Sequence, residues 1–103
     1  MIDKAALLAR RLGEGEHEIP GFGTVRFRGL SRAEVLALRQ VADAALSDRQ
    51  MVAAALTDPV LTEDEVKVWQ ENSLPGEIEA LTVAIVELSG LGAGASKSGV
   101  PGV

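Results

Sequence analysis

Few residues of this chain have the types and spacing that catalysis or metal binding requires. The sequence holds no cysteine and a single histidine, His17, which excludes thiolate chemistry, disulfides and a histidine-rich zinc site. His17 stands between two glutamates, with no serine or aspartate in a recognisable catalytic order, as is typical of a solvated hairpin residue. The acidic run 63–65 could attract a divalent cation, but neighbouring helical residues point in different directions and helix capping explains these carboxylates.

Two short stretches share single features with phosphate-binding motifs. Gly21 and Gly23 lack the third glycine of a dinucleotide fingerprint, and a strand pattern follows them where that motif needs a helix. Lys97 and Ser98 lack both glycines of a phosphate loop and the helix after it. The sequence therefore predicts a protein that is not an enzyme and takes no cofactor or metal.

Composition and charge restrict the class further. The 103 residues are 47% hydrophobic and 24% charged, which is typical of one small globular domain without room for a deep, enclosed active site. Residues 1–40 hold seven basic and five acidic side chains (+2), and residues 41–103 hold three basic and ten acidic (−7). An acidic half repels phosphate, so nucleic acid is not the expected main partner.

Four arginines in the basic half leave a second interpretation open. They could form a local basic patch, as in a small DNA-binding regulator, or a solvated face that pairs with neighbouring glutamates. The arginines are Arg26, Arg28, Arg32 and Arg39, and the glutamates are Glu16, Glu18 and Glu34.

The N-terminal pattern predicts a short helix followed by a hairpin. Asp3 can cap a helix running to about Leu12, which gives an N-terminal segment of residues 1–15. Residues 16–19 and 24–28 alternate in polarity around a Pro-Gly turn, as in a β-hairpin. Residues 16–91 then form the hairpin and helical domain, and the Gly/Ala/Ser-rich tail 92–103 is expected to be disordered.

Helix-start signals recur through the rest of the chain. Ser31 and Thr62 each begin a capping box, and Pro75 suits the first turn of a last helix. Ser47 repeats the capping spacing, so the helix that follows Ser31 is expected to break near residue 47 and restart. These signals predict a mainly α fold with a small N-terminal β-hairpin, a compact domain of four to five helices.

The last helix is apolar almost all round. Only Thr82 and Glu87 are polar between residues 80 and 88, so the helix must be enclosed on most sides, either in the core or by a partner. Trp69 is a candidate interface anchor by the same argument, with burial beside the last helix as the alternative. The candidate partner-binding residues, which supply either the core or the contact surface, are Trp69, Ile78, Leu81, Ile85 and Leu88.

Hydropathy predicts neither a membrane span nor a secretion signal. No apolar run approaches the ~18–20 residues that cross a bilayer. The apolar stretch 5–9 is too short for the core of a signal peptide. We therefore expect a cytosolic protein.

Three strings of the sequence resemble one protein family. Residues 19–34 (IPGFGTVRFRGLSRAE), 55–62 (ALTDPVLT) and 85–91 (IVELSGL) are similar, in order and spacing, to strings of the small tail assembly chaperones of long-tailed bacteriophages and prophages. The resemblance implies a non-enzymatic protein of the bacterial host cytoplasm that is not expected in the mature virion. It also implies a client, the long helical tape measure protein, which the chaperone keeps soluble while the tail tube assembles.

The resemblance implies further partners and leaves alternatives open. Such chaperones are made in two forms, the longer by a programmed ribosomal frameshift, and this chain resembles the short form. Its additional expected partners are the tail tube protein, the long frameshifted form and copies of itself. A permanent structural component, such as a head-tail connector or tail-completion protein, is the main alternative, and the DNA-binding regulator is another.

Overall fold

A β-hairpin begins the ordered domain and is formed by strands β1 (Glu14–Ile19) and β2 (Gly23–Arg28). The computed structural model describes residues 1–91, so the predicted disordered tail 92–103 lies outside the described residues. Ile19 O accepts a hydrogen bond from Phe22 N at 3.0 Å, with Pro20 and a positive φ of 86° at Gly21 between them, as in a type II turn. This turn places Phe22 at the tip of the hairpin.

A third strand, β3 (Leu56–Asp58), pairs antiparallel with β2 and was not predicted. Leu56 lies opposite Phe27, and both side chains are buried. The Asp58–Pro59 peptide bond is cis. The chain thus pairs with the hairpin as soon as the preceding helix ends at Ala55.

Two helices follow the hairpin, but the predicted break between them was wrong. Helix α2 (Arg32–Arg39) begins with the predicted capping box of Ser31. Helix α3 (Ala44–Ala55) has Asp43 as its N-cap, and the Asp43 carboxylate accepts hydrogen bonds from the amides of Ala45 and Leu46. Ser47 lies inside this helix. The apolar periodicity favoured one continuous helix across this region. The Asp43 carboxylate instead caps a new helix, because it accepts hydrogen bonds from two free backbone amides at the positive end of that helix.

The last two helices begin where the sequence signals placed them. Helix α4 (Glu63–Asn72) starts with the Thr62 capping box, and helix α5 (Pro75–Leu88) has Pro75 at its first position. Residues 1–91 thus form five helices and one three-stranded antiparallel sheet, which confirms the mainly α fold with a small N-terminal hairpin. No helix in these residues has the length and apolar character of a membrane span.

The N-terminal helix is shorter than predicted. Helix α1 spans Lys4–Leu8, is capped by Asp3, and buries no side chain. Ala9, after the helix, has an extended backbone, and Leu12 O accepts a hydrogen bond from Gly29 N at 3.1 Å. Gly29 is required there, because a Cβ at this position would collide with Leu12 O. This backbone contact draws residues 9–13 away from helical geometry.

The core lies between the sheet and helices α2 to α5, and α5 runs through it. Leu81 and Ile85 are fully buried and Ile78 is 7% exposed, so these three predicted partner-binding residues are core residues. Leu88 is half-buried and packs on the core. The core residues are Phe27, Leu30, Val35, Val52, Ala55, Leu56, Val66, Ile78, Leu81 and Ile85. The monomer thus covers the side of α5 that carries Ile78, Leu81 and Ile85.

Candidate protein-binding groove

An open, mainly apolar groove of about 530 Å³ lies between the hairpin tip and the α4–α5 junction. This volume is within the range of ordinary ligand pockets, about 300–1,000 Å³. The hairpin, the β3 strand with the turn after it, and the two helices each supply part of the wall. The lining residues are Ile19, Phe22, Val25, Leu56, Pro59, Leu61, Trp69, Asn72, Ser73, Leu74 and Glu77.

Two large apolar side chains on the groove wall are exposed to solvent. Phe22 is 85% exposed at the hairpin tip, and Leu74 is 81% exposed between the two helices. Neither side chain contributes much to the core, so burial within the monomer does not account for an apolar residue at either position. Together with the apolar floor they form a contiguous patch of the kind that marks an interaction site.

Leu74 occupies a position that a polar residue would fill better. It is the N-cap of α5, with φ −70° and ψ 145°, and makes no side-chain cap hydrogen bond. Ser31 and Thr62 have similar backbone angles at their N-caps, and both cap their helices. A leucine here therefore forgoes a stabilising cap hydrogen bond and presents an apolar side chain at the groove.

Trp69 and Glu77 join the two helices at the groove. The Trp69 indole Nε1 donates a hydrogen bond to Glu77 Oε1 at 2.6 Å. Ser73 Oγ donates to Trp69 O at 2.7 Å, which fixes the turn between the helices. The tryptophan is thus oriented by its polar atom while its ring lines the groove, and a carboxylate is held within an otherwise apolar wall.

A smaller concavity of about 270 Å³ lies beside the groove and shares Leu74 and Ser73 with it. Asp48 and Glu79 are among its lining residues. Burial raises the pKa of Asp48, and the neighbouring Glu79 carboxylate raises it further. Among residues 1–91, no lysine, arginine or histidine lines either concavity, and carboxylates lie on both sides of Leu74.

The structure brings only one of the five predicted partner-binding residues to this groove. Trp69 lines it, whereas Ile78, Leu81 and Ile85 are core residues and Leu88 is near the other end of α5. Phe22 and Leu74, which also line the groove, were not predicted as binding residues from the sequence. The signals that point to them are an aromatic residue between two turn glycines and a leucine directly before a helix-starting proline.

The residues considered for chemistry lie elsewhere. His17 is half-buried on β1, opposite Val25. Glu65 accepts a hydrogen bond from Thr62 N at 2.9 Å, which is the predicted capping role. Within residues 1–91, no three metal-binding side chains are grouped closely enough to hold an ion.

Two of the four neighbouring arginines are paired with carboxylates. Arg28 makes two hydrogen bonds to Glu34, at 2.8 and 2.7 Å, and Arg26 lies 3.6 Å from a Glu16 oxygen. The Arg28 guanidinium lowers the pKa of Glu34 to about 2, and the hydrogen bond to Glu34 raises the pKa of Arg28. Arg26 and Arg28 are thus paired with glutamates, as one of the two interpretations of the four arginines expected, but Arg28 is only 18% exposed.

Comparison of the chain with protein-family models, curated proteins and solved structures finds no match. The groove, open and mainly apolar, is the feature of the described residues that bears on function.

Proposed function

We propose that this protein is a tail assembly chaperone of a long-tailed bacteriophage, which binds the tape measure protein and keeps it soluble while the tail tube assembles. The observation that carries the proposal is the open apolar groove with Phe22 and Leu74 exposed on its walls. An apolar surface of this kind is an aggregation hazard unless a partner covers it. The similarity of the three sequence strings to these chaperones supports the choice of partner.

The shape of the groove suits reversible binding of a helical client. Recognition of a helix in a groove uses a few apolar side chains at positions i, i+3, i+4 and i+7. A groove of about 530 Å³ accommodates a few such side chains. A chaperone that leaves before the particle is finished needs a contact that can be broken, and small interfaces are characteristic of transient complexes. The proposed binding site is thus the groove, and the buried face of α5 holds the groove wall in place by packing in the core.

The proposal is tested by co-expressing the chain with the tape measure protein in bacteria and measuring the soluble fraction of that client. We expect wild-type protein to raise the soluble fraction and Phe22→Ser to abolish the gain. Phe22 is 85% exposed, so the substitution leaves the fold intact. The matched control is Leu8→Ser, which replaces a side chain that is 72% exposed and lies outside the groove.

Three results would contradict the proposal. Wild-type protein could leave the client's solubility unchanged, or the two variants could have equal effects. The third is the presence of the chain itself in purified mature particles, which would identify it as a permanent structural component.

A further inference from the structure

The charges around the groove restrict the chemistry of its ligand. The Glu77 carboxylate lines the groove, and one of its oxygens already accepts the Trp69 hydrogen bond. On the other side of Leu74, the adjoining concavity is lined by Asp48 and Glu79. A ligand that covers Leu74 therefore approaches three carboxylates, and in the part of the chain that the structure describes no cationic side chain lines either concavity.

Within residues 1–91, three cations lie within two positions of a lining residue in the sequence, and none of the three lines either concavity. Arg26 follows Val25 on β2 but pairs with Glu14 and Glu16 at 3.7 and 3.6 Å. Arg49 donates its Nε hydrogen bond to Gln70, a neutral residue of the smaller concavity, so the Arg49 charge offsets part of the carboxylate charge there. Lys67 is exposed on α4 without lining the groove.

The charge of this surface comes from the three lining carboxylates. The exposed Glu18, for example, is next to the lining residue Ile19 on β1 and therefore lies on the opposite face of the sheet. The electrostatic complement of this surface is therefore a positively charged ligand.

The sheet edges argue for a helical ligand over an added strand. On the edge strand β1, Glu14, Glu16 and Glu18 are exposed, and charged side chains of this kind discourage strand pairing. The opposite edge, β3, has only three residues. A helix needs no backbone pairing and presents its apolar side chains on one face.

We propose that the groove binds a cationic amphipathic helix, whose apolar face contacts Phe22, Trp69 and Leu74 and whose lysines or arginines pair with Glu77, Asp48 and Glu79. This inference rests on the proposed function and specifies the segment of the client that is held. A second copy of the chain fits less well, because it has a formal net charge of −5 and the same carboxylates.

The test uses two synthetic peptides of about 18 residues with leucines at i, i+3, i+4 and i+7, flanked by lysines in one and by glutamates in the other. Binding is followed by the fluorescence of Trp69, the only tryptophan of the chain, with peptides that contain none. We expect the lysine peptide to bind at least about tenfold more tightly at low salt and to gain helicity on binding. The preference should shrink in about 0.5 M salt, because salt screens exposed charges.

Glu77→Gln tests the specific charge, since glutamine can still accept the Trp69 hydrogen bond. We expect it to weaken the lysine peptide about three- to fivefold and not to weaken the glutamate peptide. Glu87→Gln is the matched control, because Glu87 is exposed on the same helix about 15 Å away and should leave both affinities unchanged.

The outcomes separate this inference from the proposed function. Equal affinities for the two peptides, a tighter glutamate peptide, or no binding of either would overturn the cationic helix. The client solubility difference between Phe22→Ser and Leu8→Ser would still stand in those cases. A wild-type dimer that Phe22→Ser dissociates in sedimentation equilibrium would show that a second copy covers the groove, and would also overturn the inference.

Discussion

Replacing Leu74 with serine should stabilise the protein and weaken its binding. The backbone at Leu74 already has the geometry of a capped helix start, as at Ser31 and Thr62. A serine cap contributes about 1 kcal/mol, within a range of about 0.5–2 kcal/mol. Leu74 is 81% exposed, so removing its side chain forfeits only about a fifth of the ~1.5–3 kcal/mol of a fully buried leucine, or about 0.4 kcal/mol.

The cap is therefore the larger effect, and the free energy of unfolding should rise by about 0.5 kcal/mol. For a domain of this size the gain corresponds to about 2–4 °C in Tm. Urea unfolding followed by Trp69 fluorescence should show a higher midpoint with an unchanged m-value. Binding of the lysine peptide should weaken by about fivefold or more, because truncating an exposed apolar anchor removes a contact of about 1 kcal/mol.

Thr62→Ala is the matched control. It removes the corresponding cap of α4, and Thr62 does not line the groove. We expect it to lower the free energy of unfolding by about 1 kcal/mol and to leave peptide affinity unchanged. A Leu74→Ser variant that is less stable than wild type, or that binds the peptide as tightly, would refute the reasoning that this leucine serves binding at the expense of the helix.

The core and the titrating carboxylates give three further predictions. Ile85→Ala should lower the free energy of unfolding by about 2–5 kcal/mol in urea, whereas Val83→Ala, at a 51% exposed position of the same helix, should change it by less than about 0.5 kcal/mol; equal effects would contradict the burial of Ile85. Glu34 has a folded pKa of about 2, which lies below the ordinary ~4.3. Its ionised form therefore contributes about 1 kcal/mol to the free energy of unfolding above pH 4.3 after solvent screening, and this contribution is lost as the pH falls through about 2. Glu34→Gln should therefore lose less stability than wild type over that pH range, and parallel curves would show that the Arg28 pair is not stabilising. Burial raises the pKa of Asp48, so its ionised form destabilises the fold at neutral pH; Asp48→Asn should raise Tm at pH 7, and the gain should vanish where Asp48 is protonated.

Local sequence signals predicted the starts of most helices and the hairpin. Ser31, Thr62 and Pro75 act through the backbone groups of the next three residues, so their effect depends little on the rest of the fold. The break before α3 was misplaced because two local signals competed. The apolar spacing favoured a continuous helix to residue 47, and the Asp43 cap prevailed.

The sequence by itself determined the class of the fold, four of its five helix starts, and the surplus of apolar side chains on α5. Only the tertiary structure decided that Leu81 and Ile85 lie in the core, because enclosure depends on elements far away in the chain. The third strand depends in the same way on Leu56 meeting Phe27 across 29 residues. The groove also depends on the tertiary structure. Phe22 and Leu74 are single apolar residues in turns, outside any periodic pattern, and they form one surface only because the hairpin tip packs beside the α4–α5 junction.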